Sequence, residues 1–215
     1  MSKKPNKTHI SLLEAAGQLF SIHDYDDVTM REIAKLAGRA PSSVSFHFGT
    51  KEAIYRAVFL QIFDLDHALD YKKLIEKEPN VLQTADGQAY AIQRIVRDYF
   101  SRTVFYKEPW KRQLIGIELF HNSVLSMTDG KNPFRIETDS RMELYYLLKP
   151  EASPPEAYFW ANIPDTQGLF YLMLWPTIEK EYDENYVKEL QQRVINTTSV
   201  MMINLLNLPV PEMLR

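Results

Sequence analysis

Apolar residues recur at three- and four-residue spacing through most of the chain, which is the pattern of amphipathic α-helices. Near the N-terminus this spacing predicts a first helix over about residues 8–22. Residues 29–51, TMREIAKLAGRAPSSVSFHFGTK, predict two short helices joined by a tight turn, with a further helix opening beyond them. We therefore predict an all-α fold.

The stretch over residues 29–51 contains the residue types that begin and end short helices. Thr29 and Glu32 have the spacing of a capping box, in which each side chain bonds the backbone N–H of the other residue. Gly38 fits the left-handed residue at which a helix ends, because it has no Cβ to clash. Pro41 fits the first turn of the next helix, where a missing N–H costs nothing.

The helix that begins at Pro41 is predicted to be exposed. It spans about residues 41–46, which is short, and it carries small polar groups that are poorly suited to a core. The side chains concerned are Ser42, Ser43, Ser45, Phe46 and His47. Such a helix is suited to lie in the major groove of DNA, where hydroxyls can reach base edges or phosphates.

Residues 12–58 contain several motifs in a fixed order: LLEAA and LF in the first helix, VTMREIAKLAG in the second, and SSVSFHFGTKEAIY across the next two. This order and spacing resemble the N-terminal DNA-binding domain of TetR-family transcriptional regulators. The resemblance implies a three-helix helix-turn-helix domain over residues 1–52, followed by a helical-bundle domain for ligand binding and dimerisation over residues 53–215. The predicted DNA contacts are Thr29, Arg39, Pro41, Ser42, Ser43, Ser45, Phe46, His47 and Lys51.

Two features of the predicted recognition helix depart from the family pattern. Ala40 stands where family members often have Ser or Thr, so we expect this helix to lack its usual side-chain N-cap. A tyrosine that commonly contacts phosphate is replaced here by Ser45 or Phe46. Arg39 is an unusual cation in the turn, and it could replace that contact.

The fourth helix is expected to begin after Thr50 as its N-cap and to continue toward Tyr71, as the mechanical link between the two domains. Lys51, in its first turn, is unfavourable for the helix dipole. A bound phosphate would explain this lysine, and a tolerated surface side chain is the alternative.

Charge is divided unevenly along the chain, whose net charge is −3. Residues 1–60 contain eight Lys and Arg against six acids, which gives +2, and the remaining residues give −5. A modestly positive N-terminal part followed by an acidic remainder suits a DNA-binding protein with few phosphate contacts. Such a protein depends on dimerisation for its affinity.

Composition excludes several classes of protein. The absence of cysteine excludes disulfides, zinc fingers and thiol nucleophiles. No apolar run approaches the roughly 18 residues that span a bilayer, and the N-terminus has no apolar signal region, so a cytoplasmic protein is expected. The sequence lacks the G-x-S-x-G, H-E-x-x-H and glycine-loop motifs of enzymes, and we expect no enzyme and no cofactor.

Helical spacing continues beyond the N-terminal domain. A loop is predicted near residues 78–87, followed by helices over about 88–106, from Pro109 onward, and over 135–148. The last two long segments are residues 155–175, which Pro164 and Gly168 could kink or break, and residues 186–206. The resemblance implies a homodimer formed by these two segments, with no membrane contact.

The body is rich in aromatic residues, which suggests a site for an apolar, aromatic or amphipathic small molecule. The predicted ligand-binding residues are Tyr99, Phe100, Phe120, His121, Asn122, Trp160, Gln167 and Tyr171. The alternative is an ordinary core in which these groups satisfy one another.

Two spacings suggest metal sites. Glu118 and His121 form E-x-x-H, while Asp64, His67 and Asp70 are expected to share one helix face at three-residue spacing, where they could bind a divalent ion. The first lacks its other ligands and a solvated acidic face explains the second better, so no metal site is predicted.

We therefore expect a transcriptional regulator, most simply a repressor that a ligand releases from a near-palindromic operator in double-stranded DNA. A DNA-binding protein without small-molecule control and an enzyme with an aromatic-lined site are the alternatives.

Overall fold

The computed structural model describes residues 7–64, 70–106, 108–121 and 132–214. Within these ranges the regular elements are helices and short 3-10 turns, which confirms the predicted all-α fold. The α-helices are α1 (Lys7–Phe20), α2 (Met30–Leu36), α3 (Pro41–Phe48), α4 (Lys51–Phe63), α5 (Tyr71–Lys77), α6 (Ala85–Thr103), α7 (Pro109–His121), α8 (Pro133–Leu148), α9 (Pro154–Ala161), α10 (Ile163–Glu181) and α11 (Glu184–Leu205). Among the residues described, no helix is long and apolar enough to cross a membrane.

The chain divides into two compact units. The first comprises Met1–Leu65 and Lys107–Asp129, and contains α1–α4 and α7. The second comprises Asp66–Tyr106 and Gly130–Arg215, and contains α5, α6 and α8–α11. Contacts with α1 place α4 and α7 in the first unit. The domain boundary expected after residue 52 stays a prediction.

The first unit has a small apolar core to which each of its helices contributes. Fully buried members are Leu12 and Ala16 of α1, Ile33 and Ala34 of α2, Val44 of α3, Ile54 and Val58 of α4, and Leu114 of α7. Between α1 and α2, a 3-10 turn over Tyr25–Asp27 leads to Val28, which is also buried. Removing this apolar surface from water is what holds the short helices together, because helices of seven or eight residues are unstable alone.

The fourth helix is shorter than the sequence suggested. It ends at Phe63, and Asp64 adopts a left-handed conformation with φ of 45°. A new helix, α5, begins at Tyr71, where the carboxylate of Asp70 accepts a hydrogen bond from the Lys73 amide at 2.8 Å. The prediction of one continuous helix toward Tyr71 is therefore wrong, because aspartate can end a helix in the left-handed region much as glycine does.

The second unit is built around large aromatic side chains. Trp160, Trp175, Tyr145 and Phe100 are each at most 1% exposed. The segment predicted over residues 155–175 is indeed broken, but the break lies at Asn162, which separates α9 from α10. Pro164 then occupies the first turn of α10, where proline is tolerated.

The predicted loop over residues 78–87 ends earlier than expected. Helix α6 begins at Ala85, and the hydroxyl of Thr84 caps it by accepting from the Gly87 amide at 3.1 Å. A Cβ at Gly87 would lie 2.0 Å from the carbonyl oxygen of Val81. This glycine therefore allows a close approach within a helix and does not mark a loop.

A buried chain of charges joins α6, α8 and α10 in the second unit. The Arg141 side chain is 3% exposed; its guanidinium pairs with Asp165 and donates to the Ala161 carbonyl at 2.6 Å. Glu137 lies 3.6 Å from Arg141 and 2.9 Å from Arg102. Because a buried charge is costly unless it is paired, these contacts hold the three helices in one arrangement.

Two helical glycines of the first unit allow a matched test of how Trp110 packs against α1. A Cβ at Gly17 of α1 would lie 2.2 Å from the ring of Trp110, whereas one at Gly116 of α7 would have nothing within 4 Å. We expect Gly17→Ala to lower the free energy of unfolding by about 1–3 kcal/mol through overpacking. Gly116→Ala should instead raise it by about 0.5–1 kcal/mol, because alanine favours the helix.

Urea unfolding of both variants, followed by circular dichroism, would measure these changes. Equal effects of the two substitutions would show that Trp110 does not pack against α1 as described.

Candidate DNA-binding site

The first helix of the predicted pair begins with the expected capping box. The hydroxyl of Thr29 accepts from the Glu32 amide at 3.2 Å, and the Thr29 amide donates to the Glu32 carboxylate at 2.9 Å. The Thr29 hydroxyl also donates to that carboxylate at 2.7 Å. These hydrogen bonds lower the pKa of Glu32. Thr29 itself is exposed, at the N-terminal end of α2.

The turn after α2 depends on the backbone conformation of Gly38. Its φ is +63°, and nothing lies within 4 Å of the position of a Cβ. Glycine is thus favoured by the left-handed dihedral and not by lack of space. The amides of Gly38 and Arg39 donate to the carbonyls of Lys35 and Ala34 at 3.1 and 2.8 Å, which closes the helix. The Arg39 side chain reaches back to the Ser11 hydroxyl of α1 at 3.4 Å.

Helix α3 is attached to the first unit by one fully buried side chain, that of Val44. As expected, Ala40 precedes it without a side-chain cap, and Pro41 lies in the first turn. The opposite face of the helix is exposed at Ser42, Ser45 and Phe46, and Phe46 is 85% exposed. The local sequence therefore produces an outward helical face with two hydroxyls and one phenyl ring.

One flank of α3 lies against α1 through a pair of histidines. The ring centroids of His9 and His47 are 5.9 Å apart, and His9 also packs on Phe48 at 4.6 Å. Burial lowers the pKa of His9, and the nearby His47 lowers it further. His47 was a predicted DNA contact, whereas His9 was not. No pattern within α1 distinguishes His9, because the pair joins residues that are 38 positions apart in the sequence.

Lys51 has partners inside the protein. Its ammonium donates to the carbonyls of Tyr25 and Asp26 at 2.7 and 3.1 Å, and it lies 4.4 Å from the centre of the Tyr25 ring. Thr50 caps α4 as predicted, since its hydroxyl accepts from the Ala53 amide at 3.1 Å. These carbonyls explain a lysine at this helix terminus without a phosphate. An ammonium has three donors, so one N–H remains for a further acceptor.

The predicted DNA-binding residues therefore occupy three adjoining elements of one unit. Six of them, Pro41, Ser42, Ser43, Ser45, Phe46 and His47, lie on α3. Arg39 directly precedes that helix, Thr29 caps α2, and Lys51 opens α4. Contact with DNA stays a prediction for each residue.

The predicted ligand-binding residues of the second unit mostly have partners in the core. The Tyr99 hydroxyl donates to Asp165, and burial followed by that carboxylate raises the pKa of Tyr99 well above its usual range. Phe100 is fully buried and stacks on Phe105. Trp160 donates its indole N–H to the Met202 carbonyl at 2.9 Å.

The other predicted ligand-binding residues lie elsewhere. Gln167 lines a surface groove of about 260 Å³ together with Phe159, Ile163 and Met201. Tyr171 is half-buried beside Phe170. Asn122 and the side chains of Phe120 and His121 lie outside the described residues. The structure thus does not bring the described members into one cavity, and their role stays a prediction.

The residues of the two hypothetical metal sites have other roles where the structure describes them. Glu118 is buried and accepts a hydrogen bond from the Tyr55 hydroxyl at 2.7 Å. Asp64 ends α4 and Asp70 caps α5, so the expectation that they share one helix face is wrong. His67 lies outside the described residues. In the part of the chain that the structure describes, no group of three metal-ligating side chains comes together.

Two short helices joined by a left-handed glycine, the second of them exposed, define a helix-turn-helix protein. Residues 12–58 match the family model described as bacterial regulatory proteins, tetR family. The match confirms the predicted resemblance of the N-terminal domain to the DNA-binding domain of TetR-family transcriptional regulators. A comparison with curated protein sequences finds no match.

Three solved structures are similar in fold. AibR in complex with isovaleryl coenzyme A and operator DNA is 14% identical, with a TM-score of 0.59, over 91% of this chain and 97% of that one. A transcriptional regulator from Rhodococcus sp. Rha1 is 13% identical, with a TM-score of 0.57, over 91% and 95%. NalD of Pseudomonas aeruginosa, the secondary repressor of the MexAB-OprM multidrug efflux pump, is 16% identical, with a TM-score of 0.53, over 94% and 95%.

The contacts of Lys51 predict two separable effects of Lys51→Ala. Loss of the bonds to the Tyr25 and Asp26 carbonyls should lower the free energy of unfolding by about 1–2 kcal/mol. If the remaining N–H binds a phosphate, the slope of log affinity against log salt should also fall by about one unit on every DNA sequence. Urea unfolding and fluorescence anisotropy with labelled DNA measure the two effects.

Lys35→Ala is the matched control, since Lys35 is an exposed lysine of α2 in the same unit. It should leave stability within about 0.5 kcal/mol of the original protein. An unchanged salt slope for Lys51→Ala would remove Lys51 from the DNA contacts and leave it a purely structural role.

Proposed function

We propose that the protein is a homodimeric, ligand-responsive repressor that binds a near-palindromic operator. Two copies of α3 enter successive major grooves, whose centres are about 34 Å apart. The observation that carries this proposal is the outward face of α3, where Ser42, Ser45 and Phe46 are exposed although the helix is anchored by Val44. A face with hydroxyls and a ring, on a helix fixed by its opposite side, fits insertion into a groove.

Charge supports the need for two copies. The first 60 residues have a net charge of only +2, so a single head makes few phosphate contacts. Non-specific affinity rises with the number of phosphates neutralised. Linking two heads makes the second binding event intramolecular and raises the overall affinity without new contacts.

An apolar surface of the second unit supports self-association. We name it the α10–α11 face; its exposed members are Phe170, Met173 and Leu174 of α10 and Met201 and Leu205 of α11. Beside it lies the groove lined by Ile163, Thr166 and Met201, and the adjoining α9 exposes Tyr158 and Phe159. Projecting aromatic rings next to an apolar groove give a surface that can fit a second copy of itself. These are the helices that the resemblance assigns to dimerisation.

Effector control is supported by the similar solved structures. AibR was solved with isovaleryl coenzyme A and operator DNA, and NalD is a repressor of an efflux pump. By analogy, a small apolar, aromatic or amphipathic molecule would favour a state of the body that holds the two copies of α3 away from the groove spacing. Ligand and DNA would then weaken each other's binding reciprocally.

The buried charges favour a second candidate, a DNA-binding regulator without small-molecule control. Tyr99, which was expected to face a ligand, is instead bound to Asp165 beside Arg141. A ligand that replaced these contacts would have to pair the buried Arg141 and the half-buried Asp165 itself. The two candidates differ in whether any small molecule releases the DNA.

The deciding experiment selects tight-binding DNA from a random pool and then screens compounds for release of the selected site. We expect a near-palindrome with half-site centres about 10 base pairs apart. We also expect at least one compound to lower the affinity for it. A failure to enrich any DNA would overturn the proposal, while enrichment without release by any compound would favour the second candidate.

The α10–α11 face predicts that Phe170→Asp separates the dimer. Phe170 is 58% exposed in one copy, and a carboxylate would be desolvated without a partner in the dimer. Sedimentation should show a monomer at micromolar concentration, and the affinity for the palindrome should fall at least about 100-fold as avidity is lost.

Leu147→Asp is the matched control, because Leu147 is 56% exposed on α8. It should leave both the mass and the DNA affinity unchanged. A dimer that survives Phe170→Asp, or a control that dissociates as well, would place the dimer contact elsewhere.

A further inference from the structure

Phe46 is the most exposed large apolar side chain in the described part of the chain. It is 85% exposed, against 66% for the next, Phe159. The free protein does not bury this phenyl ring, so the ring is available for contact with a partner that would remove it from water.

The ring has a defined place on α3. Phe46 lies four residues after Ser42, on the same outward side of the helix, while the buried Val44 faces the core. Its one aromatic neighbour among the described contacts is His47, whose ring it meets edge-on at a centroid distance of 5.3 Å. The phenyl group therefore lies on the exposed face of α3, with the His47 ring beside it.

The chemistry of the ring limits what it can recognise in a major groove. A phenyl side chain has no hydrogen-bond donor or acceptor, so it cannot pair with the polar atoms of the base edges. The apolar group in the major groove is the C5-methyl of thymine, which adenine, guanine and cytosine lack. The deoxyribose is also apolar in part, but contact with it would not depend on the sequence.

We propose that Phe46 is a specificity-determining residue that contacts the C5-methyl group of one thymine in each operator half-site. This inference rests on the proposed function, because it requires α3 to enter the major groove. It assigns the preference for thymine at one position to the phenyl ring and leaves the polar contacts to the neighbouring serines.

The test replaces thymine by deoxyuridine, which removes only the methyl group, at each thymine of the selected operator in turn. Fluorescence anisotropy should show one position per half-site at which the original protein loses about fourfold in affinity. Replacing that thymine in both half-sites should cost about 16-fold if the half-sites contribute independently. The other thymines should show changes below about twofold.

Variants of the protein complete the test. Phe46→Ala should bind the thymine and deoxyuridine operators equally, whereas Phe46→Leu, which keeps an apolar side chain, should still distinguish them. Ile22→Ala is the matched control, since Ile22 is 65% exposed in the same unit but lies after α1. It should retain the full deoxyuridine effect. Because the Phe46 ring is exposed, its variants should melt at the temperature of the original protein.

Two results would overturn the inference. One is an original protein that tolerates deoxyuridine everywhere although Phe46→Ala binds weakly; another is a Phe46→Ala variant that still distinguishes the two bases. The first would place the ring against the sugar–phosphate backbone. If the random pool yields no DNA at all, the proposed function itself fails, which is a separate outcome from these two.

Discussion

The packing of Val44 into the core of the first unit is the constraint on which the exposed face of α3 depends. A helix of eight residues is not stable alone, and α3 has one fully buried side chain to hold it. The turns on either side restrict it further, since Gly38 and Gly49 both have positive φ. Contacts on one side of α3 thus fix its position and orientation. The side chains on its other side are not needed to hold the helix in place. The same arrangement explains why small polar groups are tolerated at Ser42 and Ser45.

Polar groups are satisfied in two different ways in the two units. In the first, the half-buried Lys51 connects the start of α4 to the backbone of the 3-10 turn, because its ammonium donates to two carbonyl oxygens there. In the second, Arg141 is buried and pairs with carboxylates from its own helix and from α10. A buried pair of this kind contributes little net stability, but breaking it costs several kcal/mol. We infer that the buried charges mainly determine which packing of α6, α8 and α10 forms and add little to its stability.

Patterns of neighbouring residues predicted much of the first unit. They could not predict contacts between residues that are distant in the sequence. The capping box at Thr29, the left-handed Gly38 and the cap at Thr50 each follow from residues within four positions of one another, where side-chain chemistry determines the backbone. The end of α4 at Asp64 was missed because aspartate adopts the left-handed region without being an obvious helix terminator. The loop prediction that included Gly87 was wrong, since this glycine lies within α6 and allows close contact with Val81.

The remaining differences arise from tertiary structure. The sequence shows that Lys51 is unusual at a helix N-terminus, but its carbonyl partners are 25 and 26 residues away. In the same way, Tyr99 and Trp160 are aromatic residues at helical spacing whether they face a ligand or the core. Only the partners, Asp165 for one and the Met202 carbonyl for the other, distinguish the two cases. A single sequence therefore indicates where chemistry is available, and the fold decides whether the protein itself or an external ligand uses it.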